Sequence, residues 1–256
     1  MWIAEKKLVT IISAGGTDIG QKRKTNQDSI FLSDELLFYV VADGMGGHSG
    51  GDIASGMSVT LMPEYVRKHK EQDPKELLKN ASLYVNSGIF AKSSATPELK
   101  GMGTTLVSMM FRDGSIYISN VGDSRLYMVS NGLIYQMSRD HSLVQEKLNM
   151  GLYTREQAKS DKQKNVLIRS VGFEDLVDVD VFSYKVAKHD VFMMCSDGLH
   201  GRVTDHDIGE IINKHVQVNP EAITAVELKN AVTELIALAN KNGGHDNISV
   251  VMAMVK

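Results

Sequence analysis

Phe38-Tyr39-Val40-Val41-Ala42-Asp43-Gly44 and Val191-Phe192-Met193-Met194-Cys195-Ser196-Asp197-Gly198 carry one pattern twice: an apolar run of strand length that leads to an aspartate followed by glycine. A short apolar run without polar alternation reads as a strand buried on both faces. An acid at the end of such a strand is costly unless a cation or hydrogen bonds satisfy it, and the glycine beside it lets another backbone come close. Two copies of the arrangement point to one shared ligand.

Around these two runs, further strand-length segments fall at residues 8–14, 29–33, 104–111, 115–121, 125–130, 177–184 and 247–255, and the first run itself extends over 36–42. The segment 8–14 is rich in β-branched residues, which favours a strand over a leader peptide. Asp34-Glu35, Arg112-Asp113-Gly114, Gly122-Asp123-Ser124 and Asn131-Gly132 supply turns short enough to imply antiparallel neighbours. Helical patterns occupy 52–69, 74–91, 142–149, 205–215 and 220–240. In the second of these, Leu77, Leu78, Ala81, Val85 and Ile89 form one apolar stripe, so this helix is expected to cover a sheet. Residues 92–103 and 153–165 read as exposed loops. No repeat or linker divides the chain, so one domain of sheets faced by helices is expected.

Composition narrows the function. The 256 residues are 43% hydrophobic, enough for a sizeable core, and 28 Lys plus Arg against 31 Asp plus Glu leave a formal charge of -3. Without a global basic field, nucleic acid and anionic membranes are poor partners. The single cysteine, Cys195, excludes an internal disulfide and a thiolate metal cage and suits a reducing compartment, the cytoplasm. The longest aliphatic or aromatic run, residues 36–42, is far short of the roughly 20 residues that a membrane-spanning helix needs.

The chemistry is in the aspartates. Asp123 in Gly122-Asp123-Ser124, Asp246 in His245-Asp246-Asn247 and Asp28 in Asn26-Gln27-Asp28 stand at strand edges equivalent to those of Asp43 and Asp197. Any one of the five can be read as turn chemistry; all five together fit that reading poorly. If the sheets bring them together, their repulsion is several kcal/mol at ~4 Å and an effective dielectric near 20, and they need a divalent cation to stay ionised. Oxygen ligands alone favour Mg2+ or Mn2+ over Zn2+, and a bridging carboxylate makes a two-metal site. Arg23 could grip a phosphate through two parallel N–H bonds, although a lone arginine in a polar loop is more often solvated. The glycine-rich stretch from Gly44 to Gly51 fails the dinucleotide fingerprint because Ser49 stands in the last glycine position. Cys195 and the pairs Met109-Met110 and Met193-Met194 read as core, and His245, after Gly243-Gly244, as part of a turn.

Six motifs now stand in order: Gly20-x-x-Arg23-x-x-Asn26-Gln27-Asp28, Val41-Ala42-Asp43-Gly44-Met45-Gly46-Gly47-His48, Gly101-Met102-Gly103-Thr104-Thr105, Gly122-Asp123-Ser124-Arg125, Ser196-Asp197-Gly198-Leu199 and Gly244-His245-Asp246-Asn247-Ile248. In this order they resemble the metal-dependent type-2C protein serine/threonine phosphatases, most of all the compact bacterial members, from about residue 10 to the C-terminus.

The resemblance implies an α+β fold, a four-layer α-β-β-α sandwich of two antiparallel sheets flanked by helix pairs, forming a single catalytic domain over 1–256 with a mobile flap at about 142–170. It implies a centre of two Mn2+ or Mg2+ ions with a third, weaker one. Asp43 would bridge, the Gly44 carbonyl would bind one ion, Asp197 and Asp246 the other, and Asp123 with Asp197 the third. Asp28 would order metal-bound water and Arg23 would bind phosphate. Gln27 replaces a glutamate common in eukaryotic members and implies weaker metal affinity. His48, five residues after Asp43, could protonate the leaving oxygen or contact substrate, or could be structural. The expected function is hydrolysis of phosphoserine and phosphothreonine by direct attack of a metal-bridging water. The expected partners are phosphorylated Ser/Thr proteins and a cognate Ser/Thr kinase, the protein itself being a monomer. The alternatives are a pseudophosphatase that binds phosphoproteins, and a two-metal phosphatase for small molecules.

Overall fold

The computed structural model describes residues 10–45, 50–216 and 219–256. In chain order the strands and helices are β1 (Ile11–Asp18), β2 (Asp28–Ser33), β3 (Phe38–Met45), α1 (Gly51–Lys68), α2 (Pro74–Ala95), β4 (Gly103–Thr104), β5 (Leu106–Arg112), β6 (Ser115–Val121), β7 (Arg125–Ser130) and β8 (Leu133–Gln136). There follow α3 (Leu143–Asn149), α4 (Arg155–Ser160), β9 (Asp180–Lys185), β10 (Val191–Cys195), α5 (Asp197–His200), α6 (Asp205–Val216), α7 (Ala225–Lys241) and β11 (Ile248–Val255). One sheet has the order β1-β11-β10-β7-β8, the other β2-β3-β5-β6-β9 with β4 paired to β3. Every strand pair is antiparallel.

The two-residue period of a strand sorts the apolar runs into three layers. On β3, Phe38 and Val40 join the cluster that includes Ala54, Met62 and Val66 of α1 and Leu77, Leu78, Ala81, Val85 and Ile89 of α2; the expected stripe of α2 is fully buried. Tyr39 and Val41, the alternate residues, face the other sheet. On β10, Val191, Met193 and Cys195 pack under α6 and α7, while Phe192 and Met194 point between the sheets. Tyr39, Phe111 and Phe192 form an edge-to-face series across that inter-sheet space, with ring centroids 6.2 and 5.6 Å apart. The four-layer α-β-β-α sandwich is therefore the observed architecture.

Five kinds of local expectation need correction. The strand expected at 8–14 runs over Ile11–Asp18, and residues 1–9 lie outside the described residues. It continues through Gly15 and Gly16 because neighbours press there: a Cβ on Gly15 would stand 2.9 Å from the Leu32 methyls, and one on Gly16 3.1 Å from Ile236 of α7. The first apolar run begins at Phe38 rather than Leu36 and carries on past Asp43 to Met45. Two expected loops hold helix: α2 runs to Ala95, and α4 starts from a reciprocal capping box between Thr154 and Gln157. The last helix starts at Ala225, not 220, because Thr224 and Glu227 cap it.

The fifth correction shapes the site. Gly122-Asp123-Ser124 does not close a hairpin, since β6 and β7 belong to different sheets. The chain turns the corner at Gly122, whose φ of +104° is available to glycine alone at no cost. Asp123 is carried to the junction of the two sheets by this crossing.

Gly122→Ala should lower the unfolding free energy by roughly 1–3 kcal/mol, because the left-handed backbone is strained with a side chain and the new Cβ would stand 2.7 Å from Thr105 Cβ. Gly56→Ala, in open space within α1, should raise it by about 0.5–1 kcal/mol. Urea midpoints of the two variants moving in the same direction would contradict this account of the corner.

Candidate active site

Asp28 opens β2 and stands directly across from Asp43 in the antiparallel register. Its alternate neighbours Ile30 and Leu32, like Tyr39 and Val41 on β3, pack into the inter-sheet layer, so both carboxylates project between the sheets. Like charges in facing positions are unfavourable, and burial makes them more so. Asp28 Oδ2 accepts a hydrogen bond from Ser196 Oγ at 2.7 Å, reaching from the end of β10 in the other sheet. Its Oδ1 is buried and has no hydrogen-bond partner among the described residues.

The backbone of Asp43 is clamped by the threonine pair that follows Gly103. Thr105 N–H and Thr104 Oγ1 donate to the Asp43 carbonyl at 2.8 and 2.9 Å, and Asp43 N–H donates to Thr105 Oγ1 at 3.0 Å. Thr105 Oγ1 also meets Ser124 Oγ at 2.8 Å, which couples the clamp to the residue after Asp123. The carbonyl of Asp123 accepts from His200 Nε2 at 3.0 Å, so that nitrogen carries the proton. Burial, reinforced by Arg125, holds the His200 pKa well below the usual histidine range and keeps the ring neutral. Arg125 is itself fixed by a two-armed pair with Asp140, with Nε to Oδ1 at 2.9 Å and Nη2 to Oδ2 at 2.7 Å.

Asp197 begins α5 immediately after β10, and Asp246 precedes β11. Arg23 Nη2 donates to Asp246 Oδ2 at 2.6 Å. Between them stands Asn247, buried, whose Oδ1 accepts from Gln27 N–H at 2.8 Å while Nδ2 donates to the Ile19 and Thr25 carbonyls. This one side chain fastens the loop that carries Arg23 and Asp28 to the segment that carries Asp246. The glycines after the two motif aspartates are sites of backbone contact: a Cβ on Gly44 would stand 2.0 Å from the Gly51 carbonyl oxygen, and one on Gly198 1.9 Å from that of Asn247. The Gly44 carbonyl in turn lies against Gly51 at the start of α1.

Electrostatics shows that the acids share one environment. Burial pushes Asp43 well above the usual carboxylate range, and the charges of Asp28, Asp197, Asp123 and Asp246 push it further in the same direction. Asp28 is pushed up to about 6, by burial first and by Asp246 among its neighbours, with Ser196 opposing. Asp197 is pushed up to about 6 by burial and then by Asp246 and Asp28, and Asp123 to about 8 by burial and then by Asp197. Asp43 and Asp197 retain some accessible surface, but the protein around them is dense enough for desolvation to lead.

Among the described residues no three acidic, histidine or cysteine side chains gather onto a single point. The carboxylates instead share one electrostatic environment around Asp43. An all-oxygen set of acids with raised pKa, one oxygen of Asp28 left without a partner, fits hard divalent cations and no softer metal. Asp43, Asp123, Asp197, Asp246 and the Gly44 carbonyl are the groups that could hold them. Cys195 is buried among core residues, as expected, and Gly243 and Gly244 form the turn before His245 with φ of +118° and +47°. His48 lies outside the described residues. Reasoning from sequence missed the roles of Ser196, Thr105 and Asn247. All three stand inside the quoted motifs, and a small polar residue at a position expected to be buried was the available signal.

The segment after β8 closes one side of the cleft. Gly122 N–H donates to His141 Nδ1 at 3.1 Å, Ile168 N–H donates to the His141 carbonyl at 3.0 Å, and Ser142 bridges to Leu167. Both ends of residues 142–168 are thus tied beside Asp123. Lys164 and Asn165 from this segment line a cleft of about 260 Å3 together with Arg23, Asp197 and Asp246.

Known proteins resemble the chain in sequence and in fold. The chain is 35% identical over 243 residues, 92% of each sequence, to the serine/threonine phosphatase stp of Listeria monocytogenes. It is 32% identical over 242 residues to the serine/threonine protein phosphatase PstP of Mycobacterium tuberculosis, of which it spans 44%. Among solved structures, that of the Mycobacterium tuberculosis phosphatase PstP/Ppp superposes with a TM-score of 0.87 at 30% identity, covering 97% of this chain and 100% of that one. The PstP catalytic domain in complex with two manganese ions superposes with a TM-score of 0.84 at 30% identity, over 96% of this chain and 99% of that one. A family model for protein phosphatase 2C matches residues 16–238, and the chain belongs to that family.

Proposed function

We propose that this protein is a metal-dependent phosphatase that hydrolyses phosphoserine and phosphothreonine in proteins by one in-line displacement. Water attacks phosphorus, the bond from phosphorus to the Ser or Thr oxygen breaks, and a proton is delivered to that oxygen; no phosphoenzyme forms. The observation that carries the reading is Asp43, held in register opposite Asp28 between two sheets and raised in pKa by burial and then by the charges of four other aspartates. Asp43, the Gly44 carbonyl, Asp197 and Asp246 would hold a pair of Mn2+ or Mg2+ ions, and Asp123 with Asp197 a third. The manganese complex of a relative supports this assignment. When bound, such cations supply Lewis acidity, making water nucleophilic near neutral pH and offsetting phosphoryl charge.

The protein's own groups do the rest. Asp28 Oδ1, buried and without a partner among the described residues, accepts a hydrogen bond from the attacking water and orients it, while Ser196 fixes the other oxygen of the same carboxylate. Arg23 gives Nη2 to Asp246 and keeps Nε and Nη1 for the phosphoryl oxygens. The Thr104–Thr105 clamp holds the Asp43 backbone while charge builds on the phosphoryl group. A Ser/Thr kinase that installs these phosphates is the natural opposing partner.

Asp43→Asn should lower kcat more than about a thousandfold, equivalent to ~4 kcal/mol of barrier. It should also abolish the rise in Tm that manganese gives the parent protein, without unfolding it. Activity retained in Asp43→Asn would remove the two-ion assignment.

Arg23→Ala should cost about a hundredfold in kcat/KM while leaving the melting temperature nearly unchanged, because its pair with Asp246 is partly exposed, at 48% and 29%. A loss confined to stability would show the arginine to be structural.

Metal removal gives the third expectation. Folded-state pKa values raised above the unfolded ones mean that the native state binds more protons, so this contribution is complete below about pH 4 and is lost as pH rises. With Asp28 and Asp197 near 6 and Asp123 near 8, protein in EDTA should lose stability between about pH 5 and 8, and excess Mn2+ should restore it. A melting temperature in EDTA that climbs through this interval would contradict the burial of the cluster.

A further inference from the structure

The cleft beside Asp197 and Asp246 carries positive charge that the hydrolytic step does not use. Arg23, Asp197 and Asp246 line it together with Lys164, Arg202 and His245; Asp28 and Asp43 do not border it. The cleft therefore lies on the Asp197–Asp246 side of the carboxylate cluster, and a phosphoryl group drawn to Asp43 is not what Lys164 and Arg202 hold. Arg23 is matched by Asp246 at 2.6 Å. Lys164 and Arg202 are exposed, and among the described residues neither side chain has an ion-pair or hydrogen-bond partner. In a chain of net charge -3, two unmatched cations in one small cleft run against the average.

Both stand on hydrogen-bonded turns. Arg202 N–H donates to the Leu199 carbonyl at 2.9 Å, its own carbonyl accepts from Asn242 Nδ2 at 2.8 Å, and Gly201 N–H donates to the Asp197 carbonyl at 2.8 Å. Val203, the next residue, is in the core. The guanidinium thus projects from a turn whose distance from Asp197 is set by hydrogen bonds. Lys164 N–H donates to the Asp161 carbonyl at 3.3 Å, and Val166 accepts at its carbonyl from Leu143 N–H at 2.8 Å, which ties this turn to α3. Two cations supported in this way, one of them a planar five-donor fork, form a receptor for a carboxylate or a phosphate.

We infer that Arg202 and Lys164 form a specificity subsite for an anionic group flanking the phosphorylated residue, so that the preferred substrates are phosphopeptides with an acidic side chain or a second phosphate near the scissile one. The inference rests on the phosphatase reading above. The cleft, about 260 Å3, has room for a side chain rather than for a folded domain. Recognition by an exposed pair of cations away from the reacting bond raises binding more than turnover, so the preference should appear in KM.

Four phosphoserine peptides of one sequence test it, the neighbours of the phosphoserine being Ala, Asp, a second phosphoserine or Lys, assayed with Mn2+ beside para-nitrophenyl phosphate. The Asp and doubly phosphorylated peptides should exceed the Ala peptide about five- to tenfold in kcat/KM, mainly through KM, and the Lys peptide should fall below it. The two anionic arms separate a carboxylate subsite from one specific for phosphate. Arg202→Glu should reverse the order, Arg202→Ala and Lys164→Ala should each shrink it, and Lys79→Ala, which removes an exposed cation from α2, should leave it unchanged. Equal rates on all four peptides, or an order that Arg202→Glu does not alter, overturns the subsite while para-nitrophenyl phosphate turnover keeps the phosphatase reading. Loss of turnover on every substrate would instead strike that reading, and fluorescence anisotropy of the labelled peptides then reads the same preference as Kd.

Discussion

The pairing of Asp28 with Asp43 is the constraint around which the rest of the structure is arranged. Two acids face each other in register on neighbouring antiparallel strands, and their side chains turn into the space between two sheets. Either feature alone is unfavourable. The protein offsets the conflict locally with hydroxyls rather than with cations: Ser196 donates to Asp28, and Thr104 and Thr105 hold the Asp43 backbone. Each is a short side chain with few rotamers, so it holds a carboxylate (Ser196) or the backbone beside one (Thr104, Thr105) at small entropic cost. A lysine in the same place would neutralise the charge and would also occupy the site where divalent cations are needed.

Because the acids come from both sheets, the site exists only in the closed sandwich. Asp28 and Asp43 belong to the β2-β3 side, Asp197 and Asp246 flank β10 and β11, and Asp123 stands where the chain crosses from one sheet to the other. The hydrogen bond from Ser196 to Asp28 spans the two sheets and joins residues 168 positions apart. Apolar packing of Tyr39, Phe111 and Phe192 therefore does more than stabilise the fold. It sets the sheet separation against which five acids of distant sequence position are brought into one electrostatic environment.

Much of this was legible in the sequence. The apolar runs with an acid at the end located β3 and β10, the stripe of α2 gave its buried face, and the ordered motifs gave the five aspartates and Arg23. What escaped shares one cause, since contacts between distant segments override local signals. Gly122-Asp123-Ser124 has the composition of a hairpin turn but serves as a corner between sheets, a choice made by Thr105 packing against Gly122. Gly15 and Gly16 look like a strand end but admit Leu32 and α7. The four residues of β8 are too few to show a period. Lys164 and Arg202 lie far apart in the chain, so nothing in either neighbourhood marks them as sharing a cleft.

The doubled Asp-Gly has a reason that only the contacts reveal. Gly44 lies against Gln27, whose carbonyl accepts its N–H at 3.1 Å and would be 2.6 Å from any Cβ placed there. Gln27 is the neighbour of Asp28. Gly198 lies against Asn247, the neighbour of Asp246. In each copy of the motif the aspartate supplies one carboxylate, and the glycine, by having no side chain, admits the backbone that brings in a second. Asp43 thereby acquires Asp28, and Asp197 acquires Asp246. The pattern marks where two chain segments must touch as well as where charge is needed. An alanine at either glycine would separate the paired acids even with every carboxylate still present.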